Sequence, residues 1–285
     1  MTIRRRKAAR VSVAAVSTIV LTSGALAPIA TAADAWPRTV SASYTVRMAG
    51  VKFGSFQFSS KRKGARYAVN SNAKLRAFLG AFKWRGSAAS KGTIVNAAPW
   101  PKTYSYSARR KKKRPKSVSM GMKNRNVTKL KVTPPPNPKR RVPLQPEDKT
   151  NVLDPMSAIV ALTAPSKGKN PCRQSVAVFD GKHRFDVRLS PKGEKRVDVQ
   201  QGVGFARTAR VCRVRYVPIS GHKTGKKNSY IVDAKGIEVW MVPTVDASMY
   251  MPYRIVVPTV IGNATLEASA IRVEMSNNRK LALIN

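Results

Sequence analysis

The chain has 285 residues, with 54 Lys and Arg against 13 Asp and Glu, a formal charge of +41, and 42% hydrophobic residues. That length and apolar content bury a core without metal or dense disulfides, and two cysteines exclude a disulfide-dense scaffold. The charge speaks to partners, not to fold, and favours anionic surfaces such as lipid headgroups or acidic polysaccharide.

Arg4, Arg5, Arg6, Lys7 and Arg10 form a positive segment, Val11 to Leu26 carries no charge, and Ala30-Thr31-Ala32 supplies small residues for a peptidase. This three-part pattern predicts a secretory signal spanning residues 1–32, cleaved near Ala32. No Cys stands at the cleavage point, so no lipoprotein is expected. Export implies a periplasmic address and argues against a nucleic-acid partner. Residues 33–285 then form a single β-rich domain. In an oxidising compartment, Cys172 and Cys212 are expected to form a disulfide.

The mature chain opens with strict alternation. Val40, Ala42, Tyr44, Val46 and Met48 share one face of a predicted strand, and Gly50 turns it into a return strand over Val51 to Phe58. A third strand runs from Ala65 to Ala73. Leu75, Phe78, Leu79 and Phe82 fall at i, i+3, i+4 and i+7, which predicts a short helix packed on the sheet or lying over a cavity. Strands are expected over residues 84–91, 103–108, 118–122 and 127–132. Six prolines then mark residues 133–147 as an extended basic connector.

Asp154-Pro155 predicts a helix from Pro155 to about Leu162, with Asp154 capping its first amides. Beyond it, Asp180-Gly181 predicts a two-residue hairpin turn that pairs Val178 with His183 and Val176 with Phe185 and brings Cys172 beside Leu189. Further strands are expected over residues 210–217, 236–242, 253–257 and 265–275. The fold class is therefore mainly β, a curved antiparallel sheet or half-barrel with one or two short helices.

Enzyme signals are weak. Only His183 and His222 are histidines, no H-E-x-x-H or C-x-x-C occurs, and no metal site or cofactor is expected. Ser60–Lys63 and Ser166–Lys169 match S-x-x-K, a chance pattern in so basic a chain. The basic run Arg109, Arg110, Lys111, Lys112, Lys113, Arg114 and Lys116 is either a solvated loop or a patch for anionic lipid or lipopolysaccharide.

Asp154-Pro155-Met156-Ser157-Ala158, Val176 to Gly181, Val211-Cys212-Arg213-Val214-Arg215-Tyr216 and Glu238-Val239-Trp240-Met241 together resemble a family of proteobacterial periplasmic proteins of unknown function, in its alphaproteobacterial branch. The resemblance runs from about Tyr44 to Ile271. It implies a curved sheet around helical elements, similar to the half-barrels of lipoprotein carriers, and implies no reaction. Two readings follow. In the first, a non-enzymatic envelope protein holds a lipid-like ligand against Tyr44, Val46, Met48, Phe56, Phe58, Phe78 and Phe82. In the second, a scaffolding protein binds lipopolysaccharide, peptidoglycan or a partner protein through its basic surface. A hydrolase is the third and weakest.

Overall fold

The structure is a computed structural model that describes residues 36–77, 82–139, 141–165, 169–224, 236–246 and 248–285. The predicted signal segment, Phe78 and Leu79 lie outside the described residues.

Seven strands follow one another as antiparallel hairpins: β1 (Pro37–Met48), β2 (Val51–Lys63), β3 (Arg66–Ala77), β4 (Phe82–Val95), β5 (Ala98–Arg110), β6 (Lys116–Lys123) and β7 (Asn126–Thr133). The connector and a 3-10 turn (Pro146–Lys149) lead to the helix α1 (Pro155–Leu162). Then come β8 (Ser175–Phe179), β9 (Arg184–Arg196), β10 (Gln201–Val203), β11 (Thr208–Ser220), β12 (Glu238–Pro243), β13 (Tyr250–Thr259), β14 (Gly262–Met275) and β15 (Lys280–Ile284). All belong to one antiparallel sheet, ordered β7-β6-β5-β4-β3-β2-β1-β14-β13-β12-β11-β9-β8. The sheet forks at β14. One edge of that strand pairs with β1, while the other pairs first with β13 and then, from Ala270, with β15, which carries β10.

The sheet curls without closing into a barrel. Its two ends are joined by one short segment. The Val152 amide donates to the Arg125 carbonyl in the β6–β7 turn, and the Leu153 amide and carbonyl bond Ala177 and Phe179 of β8. The chain then enters α1, which packs on β3, β4 and β5 on one side and on β8 on the other. Its sequence, PMSAIVAL, is apolar nearly all round, as a helix enclosed by sheet requires. Two apolar clusters fill the curl. One joins β1, β13, β14 and β15; the other joins β3, β5, β6, α1 and Phe179.

The helix expected over Leu75 to Phe82 is not formed. Leu75 lies in β3 opposite Trp84, and Phe82 lies in β4 opposite Ala77. Four apolar residues in eight positions fit a helical face, but exposed Lys74 and Arg76 around half-buried Leu75 already follow the strand period. The Asp180-Gly181 register also differs. Phe179 pairs with Arg184, Val178 with Phe185 and Val176 with Val187, around a four-residue loop. The Asp180 carboxylate accepts from the Lys182 and His183 amides (2.7 Å each) and from His183 Nδ1 (2.8 Å), which fixes the longer loop. A two-residue slip leaves every side chain on its expected face. β10 and β15 are strands the pattern reading omits. The connector does not hang free: Val142 exchanges backbone bonds with His222 and Gly221 at the end of β11.

Cys172 and Cys212 form a disulfide, with Cα atoms 5.0 Å apart and both residues buried beside Leu189. It ties the chain leading into β8 to β11. Closing a loop of 40 residues stabilises a fold by about 4 kcal/mol in the chain-entropy model. Denaturant unfolding of Cys172→Ala/Cys212→Ala should show a loss of that size. A loss below about 1 kcal/mol would mean that the bridge adds nothing to the β9–β11 pairing.

Candidate functional site

A cavity of about 110 Å³ remains where the two apolar clusters meet at the foot of α1. Its inner-face walls come from alternate residues of adjacent strands: Val40 and Tyr44 of β1, Phe56 and Phe58 of β2, Tyr67 of β3. Met251 and Ile255 of β13 and Leu266 of β14 face them, and Ile159, Val160 and Thr163 close the side. Phe58 packs against both clusters. Trp36, Ser60 and Arg62 stand with them in the lining. The Arg62 guanidinium donates to the carbonyls of Trp36 (3.2 Å) and Gly64 (2.6 Å) and to the Ser276 hydroxyl (2.6 Å). The size limits what enters. An engineered apolar cavity of about 150 Å³ takes benzene, so this one admits a slender apolar segment unless the walls move.

Of the residues expected to line a cavity, the structure brings together Tyr44, Phe56 and Phe58. Val46 and Met48 continue β1 beyond it. Phe82 is elsewhere, 5.6 Å from the Phe53 ring and under the Arg110 guanidinium at 5.1 Å. The helical wall is α1 and not the expected segment at 75–82. Met249, Met251 and Leu266 were not foreseeable as neighbours of β2, because the long-range β1–β14 pairing and the curl of the sheet bring them there.

Beside the cavity lies a buried polar cluster. Asp154 is fully buried, and its carboxylate accepts from the amides of Met156 (2.9 Å) and Ser157 (3.0 Å), Ser157 Oγ (2.5 Å) and Ser90 Oγ (2.9 Å). Tyr67 Oη and Ser157 Oγ are 2.7 Å apart. Gly92 on β4 makes room for the Tyr67 ring, since a Cβ there would collide with it and with the Trp100 carbonyl. Burial pushes the Asp154 carboxyl up despite its four donors, and burial likewise raises the Tyr67 phenol. The cluster anchors α1 to β3 and β4.

His183 presents Nδ1 to Asp180 and Nε2 to Arg141 (3.3 Å). Neither ring nitrogen therefore faces a hydroxyl that it could activate as a nucleophile. Among the described residues no group of three His, Cys, Asp or Glu could hold a metal.

The basic residues are distributed unevenly. From Ala35 to Pro146 the chain has no Asp or Glu and 27 Lys or Arg. Arg109 and Arg110 end β5, Lys111, Lys112, Lys113 and Arg114 form the turn, and Lys116 opens β6, all exposed. With Lys83 and Arg85, the run from Arg109 to Arg114 lines an open cleft of about 630 Å³.

Comparison with known families finds a match over residues 43–269 to a model described as Protein of unknown function (DUF3108). The chain belongs to the DUF3108 family. The match runs from within β1 to within β14, and so includes α1, the disulfide and the cavity lining apart from Trp36, Pro37 and Val40. No curated protein and no solved structure matches this DUF3108 chain.

The polar cluster gives a pH test. Because the folded carboxyl of Asp154 lies above its unfolded value, the folded state binds the extra proton, and this group's contribution falls as pH rises from about 4. Asp154→Ala should cost at least about 2 kcal/mol through the lost cap and orphaned donors. The stability difference between the native chain and Asp154→Asn should shrink as pH rises through that range in urea titrations. A difference that widens with pH would contradict burial as the dominant cause.

Proposed function

We propose that this protein is exported, loses residues 1–32 and works in the periplasm of a proteobacterial envelope. There it holds a lipid-like, apolar ligand in the cavity beside α1 without catalysing a reaction. The observation that carries the reading is the cavity itself. Interiors pack to crystal-like density with few voids, yet this space persists among aromatic, aliphatic and Met side chains. Its lining combines a wide apolar wall with few polar groups, the arrangement that acyl chains and small ligands require. The export pattern of the first 32 residues and the disulfide support the oxidising address.

A second reading rests on the absence of acidic residues from Ala35 to Pro146. The protein would then dock on an anionic component of the envelope, such as lipopolysaccharide or a membrane surface. The run from Arg109 to Lys116 is one contact, with each basic residue near an anionic surface contributing about 1 kcal/mol.

Fluorescent fatty-acyl probes test the first reading. The purified protein should bind them saturably, and Ile159→Trp should abolish binding while far-UV circular dichroism is retained. Phe58→Ala should weaken binding and lower stability. If the space is only a dry core defect, the native protein binds no probe and Phe58→Ala costs about 3–5 kcal/mol alone.

A further inference from the structure

The outer face of β1 to β6 has an unusual composition. The register places Ser43, Gln57, Asn72, Ser87, Ser107 and Ser117 directly opposite one another, one per strand, in a single row. The adjacent row is Ser41, Ser59, Asn70, Ala89, Ser105 and Ser119. Asn is depleted in strands, and short polar side chains pack little cross-strand area. This floor therefore weakens the sheet it decorates.

Cations rise on both sides of the floor. Lys74, Arg85 and Arg109 are directly opposed across β3, β4 and β5. On the other side stand Lys61 and Lys91, with Lys63, Arg66 and Lys102 around a cleft of about 580 Å³. Like charges placed opposite one another destabilise a sheet, and β1 to β7 supply no carboxylate to relieve them. The six residue steps from Arg85 to Lys91 put the two banks about 20 Å apart, and six strands make the floor about 24 Å long. A groove of about 230 Å³ already opens over Ser41, Ser43, Gln57, Ser59, Asn70 and Asn72.

We infer that this trough is a docking surface for an acidic polysaccharide lying across the strands. The floor exchanges hydrogen bonds with sugar hydroxyls, and the banks neutralise the acid groups. The floor offers no aromatic side chain on which single-stranded nucleic acid would stack, and no apolar anchor for a bilayer. Phe56, Phe58, Tyr67, Tyr104 and Tyr106 lie on the other face, and Trp100, opposite Thr93, stands beyond the Lys91 bank and off the floor. This inference deepens the second reading above, names its occupant and rests on it; it is independent of the cavity.

Oligogalacturonate, a carboxylate polymer, serves as the probe in titrations of the purified protein at physiological salt. Lys74→Ser/Arg85→Ser/Arg109→Ser should weaken binding at least tenfold and flatten its salt dependence. Asn72→Tyr, which fills the floor without changing charge, should weaken it at least fivefold. Lys111→Ser/Lys112→Ser/Lys113→Ser should change it less than twofold. If the turn variant loses binding and the trough variants keep it, the charge reading stands and the trough is refuted. No binding to any polyanion refutes both. Tighter binding to duplex DNA or to phosphatidylglycerol vesicles than to oligogalacturonate overturns the choice of occupant.

Discussion

The fold depends on how the two ends of an open sheet are held together. Backbone bonds from Val152 and Leu153 reach the β6–β7 turn on one side and β8 on the other. Immediately afterwards, Asp154 caps α1 and accepts from Ser90 on β4. Six consecutive residues thus fix the curl, start the helix and anchor it. An eight-residue helix is about 12 Å long, too short to fill a sheet of this extent. The free space at its foot follows from that mismatch, which makes the cavity a product of the architecture and not of one unusual side chain.

The same geometry separates two chemistries onto two faces. Period-2 alternation sends Tyr44, Phe56, Phe58 and Tyr67 inward, and Ser43, Gln57, Asn72 and Lys91 outward. The inner face is apolar and enclosed, while the outer face is basic and hydroxylated. The acids lie almost wholly after residue 146, where they pair locally, as Asp186 does with Arg184 and Arg188 and Asp246 with Arg279. Among the described residues, Arg38 of β1 meets Glu274, while β1 to β7 themselves supply no carboxylate to the positive field they carry. A ligand held inside and an anionic polymer held outside would not compete for the same residues.

Local patterns carried most of the fold into view. β1 and β2 followed from alternation about Gly50, and α1 from Asp154-Pro155. The disulfide followed from two cysteines in a chain with an export pattern. Where two periods overlapped within eight residues, at Leu75 to Phe82, the strand period won at the described positions, because Leu75 pairs with Trp84 and Phe82 with Ala77. At Asp180 the backbone turn was legible but the loop length was not, since it depends on hydrogen bonds from the Lys182 and His183 amides to one carboxylate. Of the cavity, Tyr44, Phe56 and Phe58 were legible because they lie on one face of one hairpin. Met251, Ile255 and Ile159 reach the same space only through the curl, which leaves no trace in local sequence.

The central claim is that a curled sheet around a short helix leaves a space that an acyl chain occupies. Native mass spectrometry of the protein taken from its native cells tests this most directly. The account predicts a non-covalent adduct of lipid mass that is released on unfolding and absent from Ile159→Trp. A bare polypeptide mass under conditions that preserve the fold would contradict it.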